Sequence, residues 1–217
     1  MQIVRLPLQI AESVLGVVGI RVGTEEPHFL RRPLTPAVEL RRYGPRIAAE
    51  TVVAGDEENA RNDGFRRLAG YIFGANHRGE SISMTAPVAQ QPAGGERIAM
   101  TAPVAQAADA DGWRIRFFMP SRWSLGTLPT PDDDAVRLVT VPAETVAVLR
   151  FSGDRGRTAV AARTEELLAT LRERGITVTG EPGAWFYDPP WTLPSRRRNE
   201  VVVPVDVDWG ETVSGTT

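Results

Sequence analysis

The chain contains no cysteine. That excludes disulfides, thiolate catalysis, and zinc or haem sites built on cysteine sulfur. Lysine is also absent, so all 25 basic residues are arginine. A GC-rich coding bias would produce this pattern, and arginine favours planar anions such as carboxylates. Only two histidines are present, His28 and His77. No G-x-S-x-G, phosphate-cradling glycine loop, H-E-x-x-H or EF-hand pattern occurs. The long apolar run that a membrane span needs, about 20 residues, is missing too. In the opening stretch, Arg5, Pro7 and Glu12 interrupt the apolar residues, and no small-residue cleavage site follows. The expectation there is a short helix or arm over 1–25 that packs on the domain, with the cytoplasm as the default compartment.

What is present is ordinary for a globular protein: 217 residues, 42% apolar and 24% charged. A net charge of −2 gives no electrostatic case for nucleic acid. Alternation predicts strands at 38–42 and 46–53. A helix follows, opened by Gly55-Asp56-Glu57-Glu58 and closed by Gly74. Further strands are expected at 81–88, 97–104, 113–119, 136–141 and 145–151. A second helix spans 154–174, with Val160, Leu167, Leu168 and Leu171 as its buried stripe and Gly175 as its cap. Strands at 176–179 and 201–207 flank an aromatic turn, AWFYDPPW, at 184–191. The pattern implies an α+β fold: a distorted antiparallel β-barrel with two main helices and a pseudo-twofold repeat of a β-α-β-β unit. One domain is expected over 26–208, with a disordered tail at 209–217.

The pentapeptide MTAPV occurs twice, at 84–88 and 100–104. Alternation puts Ile82, Met84 and Ala86 on one face of the first copy, and Ile98, Met100 and Ala102 on one face of the second. Two matched strands, each ended by its proline, would follow. The methionines then read as core fillers or, alternatively, as thioether ligands of iron.

With these segments in view, the chain resembles the SOUL family of haem-binding proteins from about 26 to 205. The matching stretches are VELRRYGPRIAAETVV, GFRRLAGYIFGAN followed by MTAPV, VAVLRFSG and YDPPWTLPSRRRNEVVV. The doubled MTAPV is similar to bacterial members. The resemblance implies that haem b, or another porphyrin, binds in an open apolar cleft beside the first helix of a monomer. By position it implies contacts from Asn62, Phe65, Arg66, Ala69 and Gly70, which Leu68, Ile72 and Phe73 extend along the same helix. The family's second wall falls on the aromatic loop, with Tyr187 and Trp191 for stacking and Arg196 for a propionate. A lysine at the position of Gly70 and a histidine at the position of Arg42, both known in animal relatives, are absent here. That leaves His77, just past the helix, as the candidate axial ligand of the iron, with His28 as runner-up. Tyr71, or no protein ligand, are the other possibilities. Arg66 and Arg67 read either as propionate partners or as a solvated helix face. No catalytic residue is assigned. Alternatives to haem binding and trafficking are oxidative haem degradation or demetallation, in which the cofactor carries the oxygen chemistry, and a module that senses hydrophobic ligands.

Overall fold

The computed structural model describes residues 24–93, 112–189 and 191–209. The N-terminal arm, the second MTAPV strand and the tail from Gly210 lie outside the described residues. In chain order the elements are β1 (Phe29–Pro33), β2 (Val38–Tyr43), β3 (Arg46–Ala54), α1 (Glu57–Ile72), β4 (Val88–Pro92) and β5 (Gly112–Phe118). Then come β6 (Arg137–Val141), β7 (Glu144–Phe151), α2 (Arg157–Glu173), β8 (Thr177–Val178), β9 (Gly183–Phe186) and β10 (Asn199–Asp206).

Nine strands form a curled antiparallel half-barrel in the order β1-β2-β7-β10-β9-β4-β5-β3-β6, and β8 pairs separately with β10. The expected repeat is visible as β3-α1-β4-β5 and β7-α2-β9-β10. Its two halves meet at the β4–β9 seam, where Val88 faces Phe186 and Ala89 faces Trp185. Although adjacent in sequence, β2 and β3 do not pair with each other. Instead β2 pairs with β7 and β6 pairs with β3, so each half donates its leading strand to the other.

Strand parity assigns every side chain to one of two layers. Ala147, Leu149, Val201, Val203, Ala184 and Phe186 point to the side covered by α2. Their neighbours Val146, Val148, Val202, Trp185 and Tyr187 point to the opposite side, where the sheet curls over itself. In the other half, Ala49, Ile115 and Phe117 lie under α1, while Ala48 and Phe118 lie inside the curl. Both helices therefore share one side of the sheet, and each shields about half of it.

Asp56 starts α1 by accepting hydrogen bonds from the backbone N–H groups of Glu58 and Asn59. Ala60, Gly64, Leu68, Tyr71 and Ile72 are the helix's buried line, a spacing of three or four residues that keeps them on one face. Gly64 lets the helix approach closely: a Cβ there would stand 2.5 Å from Ile115 Cγ1. In α2 the buried residues are Val160, Leu167 and Leu171, and Gly175 adopts the left-handed conformation (φ +65°) just past its end.

The segment 81–88 departs from expectation. It is extended, but before Val88 it makes only an isolated bridge, Glu25 to Thr85. Pro87 has no N–H to donate, so the ladder to β5 begins after it rather than ending there. Ile82 is fully buried under α1, and Met84 packs against the same cluster as a core filler. The aromatic turn also differs, since its first residues form β9 in the middle of the sheet. No helix among the described residues is long and apolar enough to cross a membrane.

Gly64→Ala separates helix propensity from packing. Propensity alone favours alanine by about 1 kcal/mol. The clash with Ile115 instead predicts a net loss of about 1–3 kcal/mol in urea denaturation.

Candidate functional site

Because Leu68 and Ile72 turn into the core, the opposite side of α1 is left facing outward. Asn62 and Arg66 are exposed there, Phe65, Ala69 and Gly70 are half-buried, and Phe73 is 68% exposed just past the last turn. Phe65 rests edge-on against Phe117 at 5.3 Å, which fixes one flank of this face. At Gly70 the surface is open: an added Cβ would meet only Ala75 Cβ, at 3.9 Å. Arg66 pairs with Asp63 at the surface. Arg67 leans the other way, donating to Thr51 Oγ1 at 2.9 Å and lying 3.2 Å from Asp133 Oδ2.

A chain of contacts links the loop after β9 to the buried Arg61 of α1. From α1, the Arg61 guanidinium lies over the Phe186 ring at 4.8 Å and Nη1 donates to the Arg155 carbonyl at 3.5 Å. Arg155 Nη1 donates to the Asp188 carbonyl at 3.3 Å, and the Gly153 N–H donates to the Pro194 carbonyl at 2.8 Å. On this loop Trp191 and Leu193 are 62% and 50% exposed. Arg196 is exposed in a short 3₁₀ turn, Pro194–Arg196, with no side-chain hydrogen bond or ion pair among the described residues.

Tyr187 sits elsewhere. It continues the parity of β9, so its ring enters the curl of the sheet and its hydroxyl donates to Glu200 Oε2 at 2.7 Å. Leu68 and Ile72 likewise support α1 from below. Of the residues expected at the site, Asn62, Phe65, Arg66, Ala69, Gly70 and Phe73 share the outward or flanking side of one helix. Trp191 and Arg196 belong to the neighbouring loop.

Both histidines are exposed. His77 lies four residues beyond Phe73, in a loop held by Asn76, whose Nδ2 donates to the carbonyls of Tyr71 (3.1 Å) and Glu80 (2.8 Å). The His77 ring is 3.6 Å from Asp132 Oδ1. His28 stands just before β1, far along the sheet order from β3 and β5, on which α1 packs. Tyr71 is buried with its hydroxyl donating to the Pro129 carbonyl, and burial pushes its pKa up to about 12. No group of three or more His, Asp or Glu positioned to hold a metal ion occurs among the described residues.

A feature not anticipated from sequence roots this region. Glu200, fully buried, accepts two hydrogen bonds from Arg41 (2.7 and 2.9 Å), one from Arg198 Nε (2.8 Å) and the one from Tyr187. Arg198 also donates to both carboxylate oxygens of Glu26 at 3.0 Å. Burial opposes ionisation of Glu200 most strongly, but its hydrogen bonds and the charges of Arg41 and Arg198 together hold it below the usual carboxylate range. The signal was a lone Glu directly before a VVV strand, two residues after Arg198 and hence on the same face.

A two-layered α+β half-barrel built from swapped halves, with an open helix face beside a basic, aromatic loop, defines the class. The family model described as SOUL heme-binding protein matches residues 24–204, and the chain belongs to that family. No curated protein matches. Among solved structures, the C-terminal domain of EcmrR is similar at 11% identity and a TM-score of 0.57, over 82% of this chain and 99% of that one. An uncharacterized conserved protein from Listeria innocua (11%, 0.55) and a hydrolase from the same organism (12%, 0.52) each align over 78% of this chain and 92% of theirs. At these identities the likeness is one of fold.

Glu200→Gln leaves Arg41 and Arg198 buried beside a neutral amide, and should cost about 3–5 kcal/mol in chemical denaturation at pH 7. The lowered folded pKa means that the carboxylate stabilises the fold above its unfolded pKa, and that this stability is lost as pH falls through the folded value. The variant should therefore show a flatter fall in stability below about pH 4 than the wild type.

Proposed function

We propose that this protein binds haem b, or a closely related porphyrin, against the outward face of α1, with the loop bearing Trp191 and Arg196 as the second wall. The observation that carries the reading is the composition of that face in a chain of this family. Small Ala69 and Gly70 lie between Phe65 and Phe73, and the last of these is an aromatic ring left largely in water. A large flat apolar ring with two carboxylates calls for such a surface and for arginines at its edge. Arg66, held only by a surface pair, and Arg196 are suited to the carboxylates. Tyr187, Leu68 and Ile72 act indirectly, by fixing the loop and the helix.

Bound haem supplies the iron and whatever redox or gas-binding chemistry follows; the chain binds and orients it. His77, near the C-terminal end of α1, is the axial-ligand candidate, and its exposure leaves the ring free to turn toward the helix face. His28 is the less favourable choice, because its neighbour Phe29 packs into the curl, on the side of the sheet opposite α1. Haem storage or transfer is the role that an open, surface-built site of this kind serves.

Titrating hemin into the purified protein should give saturable one-to-one binding with a shifted Soret band; no shift at micromolar protein contradicts the proposal. Gly70→Trp occupies open space on the folded protein, so its melting temperature should hold or rise while hemin affinity falls at least tenfold. His77→Ala should change the position of the Soret band if His77 ligates the iron. An unchanged spectrum would leave the iron without that ligand.

A further inference from the structure

Above the β4–β9 seam the two helices leave a second cavity of about 250 Å³. It lies on the inner side of α1, away from the outward face just described. That volume is below the roughly 300–1,000 Å³ common for drug-sized ligands, so haem does not fit. Both helices begin at this cavity, and the first residue of each lines it: Glu57 of α1 and Arg157 of α2. They are equivalent positions in the two halves of the repeat, carrying opposite charge. Trp113, Val160 and Ala161 add apolar wall, and Gln90 adds floor.

The Glu57 residue is only 8% exposed, yet its carboxylate makes no hydrogen bond or ion pair among the described residues. Gln90 Nε2 donates to the Glu57 backbone carbonyl at 2.7 Å and leaves the side chain unsatisfied. Arg61, the nearest buried cation, is turned to Phe186, Gln90 Oε1 and the Arg155 carbonyl. The carboxylate oxygens reach the open space of the cavity, and partial burial pushes the Glu57 pKa up, against the pull of Arg61 and Arg157. Arg157 also has no hydrogen bond or ion pair among the described residues. It sits at the start of α2, where Gly156 offers no side-chain acceptor and the first turn holds no acid, although the Gly156 N–H donates to Asp154 Oδ1 at 3.0 Å.

A simple cation would meet Glu57 but be repelled by Arg61 and Arg157. A simple anion would meet Arg157 but be repelled by Glu57. We infer that the cavity takes a small zwitterion with an apolar side chain, of the size and chemistry of an apolar α-amino acid. Its ammonium group lies on the Glu57 carboxylate and its carboxylate on Arg157 at the start of α2. The apolar part lies against Trp113, Val160 and Ala161.

Isothermal titration of the full chain with L-phenylalanine and L-leucine tests this, with N-acetyl-L-phenylalanine and L-phenylalaninamide as probes lacking one charge each. The expected result is one-to-one binding of the free amino acids and at least tenfold weaker binding of both blocked forms. Glu57→Gln and Arg157→Gln should each weaken amino-acid binding at least tenfold while leaving the hemin titration unchanged, which separates failure here from failure of the haem reading. Absence of amino-acid binding at millimolar concentration, equal affinity for the blocked forms, or wild-type affinity in Glu57→Gln would each overturn the inference. A raised folded pKa destabilises the ionised state, a cost that grows as pH rises through the carboxylate range. Without ligand at pH 7, Glu57→Gln should therefore melt at or above the wild-type temperature; a lower one would contradict an unpartnered Glu57.

Discussion

The buried ion pair between Arg41 and Glu200 is the constraint on which the rest of the architecture depends. It joins β2 to β10 across the intervening β7, and so ties the strand donated by the first half to the heart of the second. Two charges at 3% and 0% side-chain exposure persist only when every hydrogen-bonding valence is used. Here Tyr187 and Arg198 complete the bonding of Glu200, Glu39 accepts from Arg41 Nε at 2.6 Å, and Arg198 in turn fastens Glu26 near the start of the described chain. The loop from Tyr187 to Arg198 is thereby held at both ends, which lets its middle present Trp191 to solvent without losing its place beside α1. An apolar pair of similar volume would fill the same space. It would not specify which strand of the curl meets which, and that choice is what the strand exchange between halves requires.

A second consequence follows from parity. The half-barrel fills its concave side with its own residues, including a buried Arg46 guanidinium packed over Tyr43 and Phe118 at 4.2 and 4.4 Å and paired with Glu144. Among the described residues that side is packed with Tyr43, Phe118, Val146, Val148, Trp185 and Tyr187. A cavity of about 500 Å³ lies at the sheet end among Arg42, Glu144, Thr145, Val207 and Trp209, lined by neither helix. The helices add two more surfaces: the face of α1 turned away from the sheet, and the small gap where α1 and α2 begin. The two differ in character as well as in place. One is broad, open and aromatic, with arginines along it; the other is narrow, and its paired opposite charges come from equivalent points of the repeat.

Much of this was legible in the sequence. Asp56 before two glutamates and Gly175 after an apolar stripe mark the helix ends, because capping is local chemistry. Alternation in VAVLRF gives β7 and its two faces. What could not be read was long-range. The exchange of β2 and β6 between halves is fixed by pairings distant in the chain, and nothing near Tyr43 or Arg46 announces it. The segment with MTAPV looks like a strand by alternation, yet its ladder starts only at Val88; before that, the Ile82 and Ala86 N–H groups donate to the Ile72 and Glu25 carbonyls instead. For the site, the residue types on α1 were identifiable, but whether Leu68 or Ala69 faced outward depended on where the helix was set down on the sheet. The Arg196-Arg197-Arg198 run looks uniform in sequence. Parity and tertiary pairing give its members three environments: Arg196 in water, Arg197 donating to the Thr192 carbonyl, and Arg198 in the buried network.

The central claim concerns which surface meets the porphyrin, and paramagnetic NMR reads that directly. Ferric hemin added to isotopically labelled protein broadens amide resonances near the iron. The account predicts that signals from 62–73 and 191–196 lose intensity first while those of Arg157–Glu173 persist. Broadening centred on α2, or spread evenly over the sheet, would contradict it.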